Sequence, residues 1–235
     1  DIYSATYRRL DEKHRQYFAR YPGDAERVRD IRRRLEDEDV RLASGDRLTA
    51  RRFNQMGMWL GASDGFERLH YVLELPFGSR AFLHDVDAAV GYDRNPIYAT
   101  LHESSYADGV ATRWSAHRVA PDAVHAGERF TAEHIFPWMF EDYGALRSHA
   151  SAADILAEHV WPRMFDPAQL AVNEVPVSAT IYADDLYVER DFALETAEAI
   201  RGLRPWMTDE YEHNGLRADG GRILDRLIGL ARGSV

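Results

Sequence analysis

The stretch Val175-Pro-Val-Ser-Ala-Thr-Ile-Tyr182, with Ala183, Asp184 and Asp185 directly behind it, decides the fold. Its apolar, β-branched residues run without polar alternation, the pattern of a strand buried on both faces in a parallel sheet. A helix is expected from about Arg190 to Arg201, closed by Gly202. Leu203 to Thr208 is a second short strand, and Pro205 within it points to an edge or early strand position. An amphipathic helix from about Asp219 to Arg232 follows, with Ile223, Leu224, Leu227, Ile228 and Leu230 apolar. Strand, helix, strand, helix is a unit whose strands pair in parallel through a crossover. Two parallel strands make a poor sheet by themselves, so their partners must come from elsewhere.

Upstream, the chain reads as helical. Tyr3, Tyr7, Leu10, Tyr17 and Phe18 share one face of a helix that stops near Pro22, and a second helix spans about Asp24 to Asp37. Val40 to Leu48, with its Ser44-Gly45-Asp46 turn, suggests a short hairpin or loop. Thr49 is placed to cap a helix reaching Leu60, and Ser63 or Asp64 to cap another running through Leu75. Helical stretches are also expected near 79–90, 95–106 and 131–147, with looser loops around 107–130.

Composition narrows the function. A formal charge of −10 argues against nucleic acid or an anionic membrane as partner, since both reward clustered cations. Arginines do cluster from Arg27 to Arg34, but acidic residues are interleaved with them, as on a solvated helix face. The chain has no cysteine, which excludes disulfides, thiolate nucleophiles and Cys-ligated zinc. No apolar run approaches a membrane span, and no signal-peptide pattern opens the chain, so a cytoplasmic protein is expected. The start at Asp1, without an initiator Met, suggests processing or a piece of something longer.

In open α/β sheets, catalytic groups collect just past the carboxyl ends of the strands. Asp184 and Asp185 stand there after the first strand, and His213 stands a few residues after the second. An acid after one strand and a histidine after the next is the downstream half of a Ser…Asp…His order. In it the carboxylate fixes the imidazole tautomer, and the imidazole takes the proton of a serine. The acidic pair could equally cap a loop or bind a metal, and Asn214-Gly215 makes His213 a candidate turn residue. Gly61-Ala-Ser63-Asp-Gly65 matches the G-x-S-x-G of a nucleophile elbow, but that motif needs a buried strand before it. Arg51 to Leu60 is instead a helical pattern without β-branched residues, so Ser63 is read as a helix-cap residue and not as the nucleophile.

The run from Val175 to Val188, followed by Trp206-Met-Thr-Asp-Glu-Tyr-Glu-His-Asn-Gly-Leu-Arg217, resembles the end of proline iminopeptidases. These are prolyl aminopeptidases of the α/β-hydrolase superfamily, here in the larger form seen in actinobacteria. Gly61 to Glu74, Leu101-His-Glu-Ser-Ser-Tyr106 and Phe130 to Phe140 carry the same resemblance upstream. It implies an α/β fold, the C-terminal part of an α/β hydrolase with a mostly helical cap. Residues 1–165 then form the cap region, and 166–235 the last strands and helices of the core. The resemblance implies Asp185 and His213 as catalytic residues, with Asp184 as fallback for the acid. The nucleophile elbow falls before the cap, on a segment this chain does not contain. That missing N-terminal half of the core is one expected partner; peptides with a free amino-terminal residue are the expected substrates.

Enzymes of this kind hold the substrate's ammonium with cap carboxylates, as an ammonium in a partly dry pocket requires. Glu103 is the first candidate for substrate binding and Glu133 the second, while Trp59, Trp138 and Phe140 could line a proline-sized pocket. No cofactor and no metal are expected. The function implied is a serine aminopeptidase releasing amino-terminal proline, with this chain alone inactive. The alternatives are another α/β hydrolase acting on esters, lactones or epoxides, and a non-catalytic module that binds a peptide or a partner.

Overall fold

A computed structural model describes residues 1–235, and the chain is mixed α/β, mostly helical with one small sheet. The helices α1 (Ile2–Arg20), α2 (Asp24–Asp37), α3 (Ala50–Asn54), α4 (Gly65–Glu74) and α5 (Arg80–Val90) gather around one core. Tyr17, Leu48, Phe53, Leu60 and Phe82 are fully buried in it. The first two helices occupy the ranges their periodicity predicts. Thr49 caps α3 by accepting the Arg52 N–H at 3.2 Å, and Ser79 caps α5 in the same way. Beyond α3 the chain tightens into a 3₁₀ helix, Gln55–Gly61.

A second core lies under α6 (Pro96–Leu101) and α7 (Ala150–Glu158), where Ile135, Phe136, Met139 and Tyr143 are buried. The helix expected over 131–147 is not formed. Only the turns Met139–Asp142 and Gly144–Arg147 are helical there. Pro137 removes a backbone donor, and the His134 ring accepts the Ala132 N–H at 3.2 Å, so this stretch is held by side chains instead.

The strands β1 (Val177–Tyr182) and β2 (Leu203–Thr208) pair in parallel, in register from Val177 opposite Leu203 to Tyr182 opposite Thr208. Between them runs α8 (Arg190–Ala199), and Gly202 takes φ +78° in the turn that follows, a conformation glycine adopts without strain. After β2 comes α9 (Gly215–Arg232), broken at Asp219, whose carboxylate accepts the Tyr211 hydroxyl at 2.8 Å. The expected start of this helix at Asp219 coincides with that break. Within this chain β2, α8 and α9 pack against β1 and only Ile181 is buried, so the strand read as able to bury both faces leaves much of its apolar surface open, as expected of two strands without sheet neighbours. No helix is long and apolar enough to cross a membrane.

Candidate active site

The chain turns sharply after β1, and this turn carries Asp185. Its side chain is almost wholly buried, and Oδ1 accepts the N–H groups of Tyr187 at 2.8 Å and Val188 at 3.0 Å. With Oδ1 so occupied, Oδ2 faces the loop after β2 and lies 3.0 Å from Nδ1 of His213. An ionised carboxylate only accepts, so Nδ1 carries the proton and Nε2 keeps its lone pair. His213 is 44% exposed at its side chain, with Nε2 making no hydrogen bond inside the chain. The hydrogen bond to Asp185 and that residue's negative charge raise the His213 pKa above its ordinary value, against partial burial. Asp184 turns the other way, toward Arg9 at 3.5 Å, so only one member of the acidic pair addresses the histidine.

Tyr187 meets the His213 ring edge to face, with centroids 4.9 Å apart. From there an aromatic wall runs through Tyr106, whose hydroxyl reaches the Tyr187 carbonyl at 3.4 Å, to His102 and Tyr98. Tyr98 donates to Glu133, and Glu133 acts by its charge on Tyr106, Tyr187 and His213. Glu133 is thus joined to the histidine's surroundings. Glu103 is differently employed: its two oxygens accept the Ser115 and Ala116 N–H groups at 3.0 and 2.9 Å. Of the aromatic residues proposed for a proline pocket, Phe140 is buried in the second core, whereas Trp59 and Trp138 keep part of their surface exposed. Trp138 stacks on Phe136, and Trp59 lies under Arg68.

The sequence is 45% identical over 243 residues to a proline iminopeptidase of Aeromonas sobria, an overlap covering 99% of this chain and 57% of that protein. The chain is similar to a proline iminopeptidase along nearly its whole length. A proline iminopeptidase of Aspergillus aculeatus is 31% identical over 229 residues, covering 91% of this chain and 51% of that protein. The chain therefore spans about half the length of the curated relatives it matches. No protein-family profile matches it.

Gly61 to Gly65 match the G-x-S-x-G pattern of a nucleophile elbow. No strand precedes them; the 3₁₀ helix does. A Cβ at Gly61 would lie 2.5 Å from the Tyr187 ring, and one at Gly65 would lie 1.7 Å from the Trp59 carbonyl oxygen. Gly65 is thus required by close packing against backbone, and a side chain at Gly61 would have to displace the Tyr187 ring. Ser63 does not cap α4 either: its N–H and hydroxyl donate to Asn214 Oδ1 at 2.9 and 3.0 Å. Three further residues near the histidine escaped sequence reading, namely Arg9, Lys13 and Tyr187. Arg9 and Lys13 of α1 pair with Glu189 and Glu212, contacts that no local pattern announces.

Proposed function

We propose that this chain is the C-terminal portion of a serine aminopeptidase that releases amino-terminal proline from peptides. Residues 1–165 act as a helical cap, and residues 166–235 are the final strands and helices of an α/β-hydrolase core. The observation that carries the reading is the Asp185–His213 hydrogen bond, which leaves Nε2 free beside the carboxyl ends of two parallel strands. Similarity to proline iminopeptidases along the chain supplies the substrate class.

His213 Nε2 takes the proton of a serine hydroxyl as its oxygen attacks the carbonyl carbon of the amino-terminal residue. The imidazolium, steadied by Asp185, then gives that proton to the departing amine, and water releases the acyl group by the same route. The serine lies in a segment outside this chain. That segment also covers the apolar residues the sheet leaves in solvent, among them Val175, Met207, Leu224 and Ile228. Each strand pairs on one side only, so both outer edges are open to further strands.

For the substrate ammonium, Glu133 is favoured over Glu103. Glu133 keeps a partly exposed carboxylate beside the aromatic wall, whereas both oxygens of Glu103 already hold backbone N–H groups. The test is hydrolysis of a chromogenic proline amide by the full-length protein containing this chain. Turnover lost on His213→Ala is expected; unchanged turnover in that variant would sink the reading. Cleavage of esters or lactones, with no action on peptides bearing a free amino terminus, would replace the substrate class.

A further inference from the structure

We propose that Ser63, in the helical region, is a positioning residue that fixes the loop carrying His213 through both neighbours of that histidine. The proposal rests on reading Asp185 and His213 as the catalytic acid and base. Ser63 Oγ donates to Asn214 Oδ1 and accepts the Glu212 N–H at 3.3 Å, so one hydroxyl grips the loop before and after the imidazole. The Ser63 N–H adds a second bond to the same Asn214 oxygen. On the other flank, Lys13, buried in α1, pairs with the Glu212 carboxylate.

Two observations separate this latch from an incidental surface contact. Asn214 occupies the N-cap position of α9, where an Asn side chain ordinarily accepts its own helix's N–H groups. It makes no such bond, and its oxygen is committed instead to Ser63, 151 residues away in the chain. Secondly, the Gly61 to Gly65 turn is shaped to reach the sheet unit. Gly61 lies so close under the Tyr187 ring that any side chain would collide with it. The helical region thus touches the imidazole's packing partner on one side and its loop on the other. Such support matters because a general base displaced by about 1 Å can lose a hundredfold in rate.

Because both capacities of the Ser63 hydroxyl are engaged with the loop, removing it should disturb geometry and not chemistry. In the full-length protein, Ser63→Ala is expected to lower kcat on a proline amide about tenfold, with KM within about twofold. Ser63→Thr keeps the hydroxyl, and its added methyl falls at an exposed position, so most of the rate should return. A Ser63→Ala/Asn214→Ala double variant should lose less than the two single losses combined, as coupled partners behave, while remaining slower than Asn214→Ala by the Glu212 contact. Without substrate, the proton NMR signal of the His213 Nδ1–H bond to Asp185 should broaden in Ser63→Ala and recover in Ser63→Thr.

An unchanged kcat and an unchanged proton signal in Ser63→Ala would overturn the latch, while loss of turnover in His213→Ala would leave the aminopeptidase reading standing. A signal disturbed by Ser63→Ala in a protein that ignores proline amides would keep the latch and remove the substrate. Abolished turnover in both Ser63 variants, with a serine-directed reagent found on Ser63 of the wild type, would make it the nucleophile and overturn the proposal.

Discussion

The helical region and the sheet unit treat their apolar residues in opposite ways. Tyr17, Phe53, Leu60 and Phe82 are sealed within the first, whereas Met207 is 55%, Leu224 50% and Ile228 46% exposed on the second. A helix cluster can close a core from local neighbours. A strand buries both faces only when sheet neighbours and two helical layers are present. The unit that holds Asp185 and His213 is therefore the one whose packing is left open, and its site is braced from the helical side by Arg9, Lys13 and Ser63.

The two regions should break differently. The largest effect belongs to the sheet unit and is purely chemical. Asp185→Asn in the full-length protein should cut kcat by roughly 10⁴, because it favours the wrong imidazole tautomer, while thermal unfolding of the helical core barely moves. Phe53→Ala should do the reverse. It opens a cavity at a fully buried site and should cost roughly 3–5 kcal/mol in denaturant unfolding. Glu133→Gln should raise KM for a proline amide roughly tenfold or more with a smaller change in kcat, the pattern of a lost binding charge.

Response to pH sharpens the contrast, since the two regions carry histidines shifted in opposite directions. In the helical region, burial drives the pKa of His14 and His134 down to about 3 from 6.5. Their stabilising contribution is complete above the unfolded value and is lost as pH falls from about 6.5 toward 3. The raised pKa of His213 works the other way: its pairing with Asp185 stabilises below the unfolded value and fades as pH rises through the folded one. On the proposed mechanism His213 is the general base and must be neutral, so the acid limb of kcat should lie above the ordinary histidine value and move down in Asp185→Asn. The smallest effect tests the exposed face. Leu224→Ser should change stability of the 235-residue chain by only about 0.5 kcal/mol, but by clearly more in the full-length protein if the proposed N-terminal half covers that face.

Much of this was legible in the residues. Apolar residues on one helix face announced α1, and the β-branched run announced β1. Strand ends pointed to Asp185 and His213, since side chains just past adjacent parallel strands are brought together by the pairing itself. What failed was whatever depends on partners distant in the chain. The apolar content of β1 reports what the strand can bury, not what covers it, and within this chain only Ile181 is buried. The 131–147 segment looked helical by composition, but a proline and a buried ring set its course. Ser63 was read as a helix cap, as Ser before a helix usually is, and its partner on the His213 loop carries no sequence signature. Glu103 and Glu133 were indistinguishable as letters; only their hydrogen-bond partners separate them.

The central claim is that His213 and Asp185 serve a nucleophile that lies outside these residues. It is tested most directly by treating the full-length protein with a fluorophosphonate and locating the modified residue by mass spectrometry. The account predicts one labelled serine beyond the 235 residues, with labelling lost in His213→Ala. A label on Ser63, or on any other serine of this chain, would contradict it.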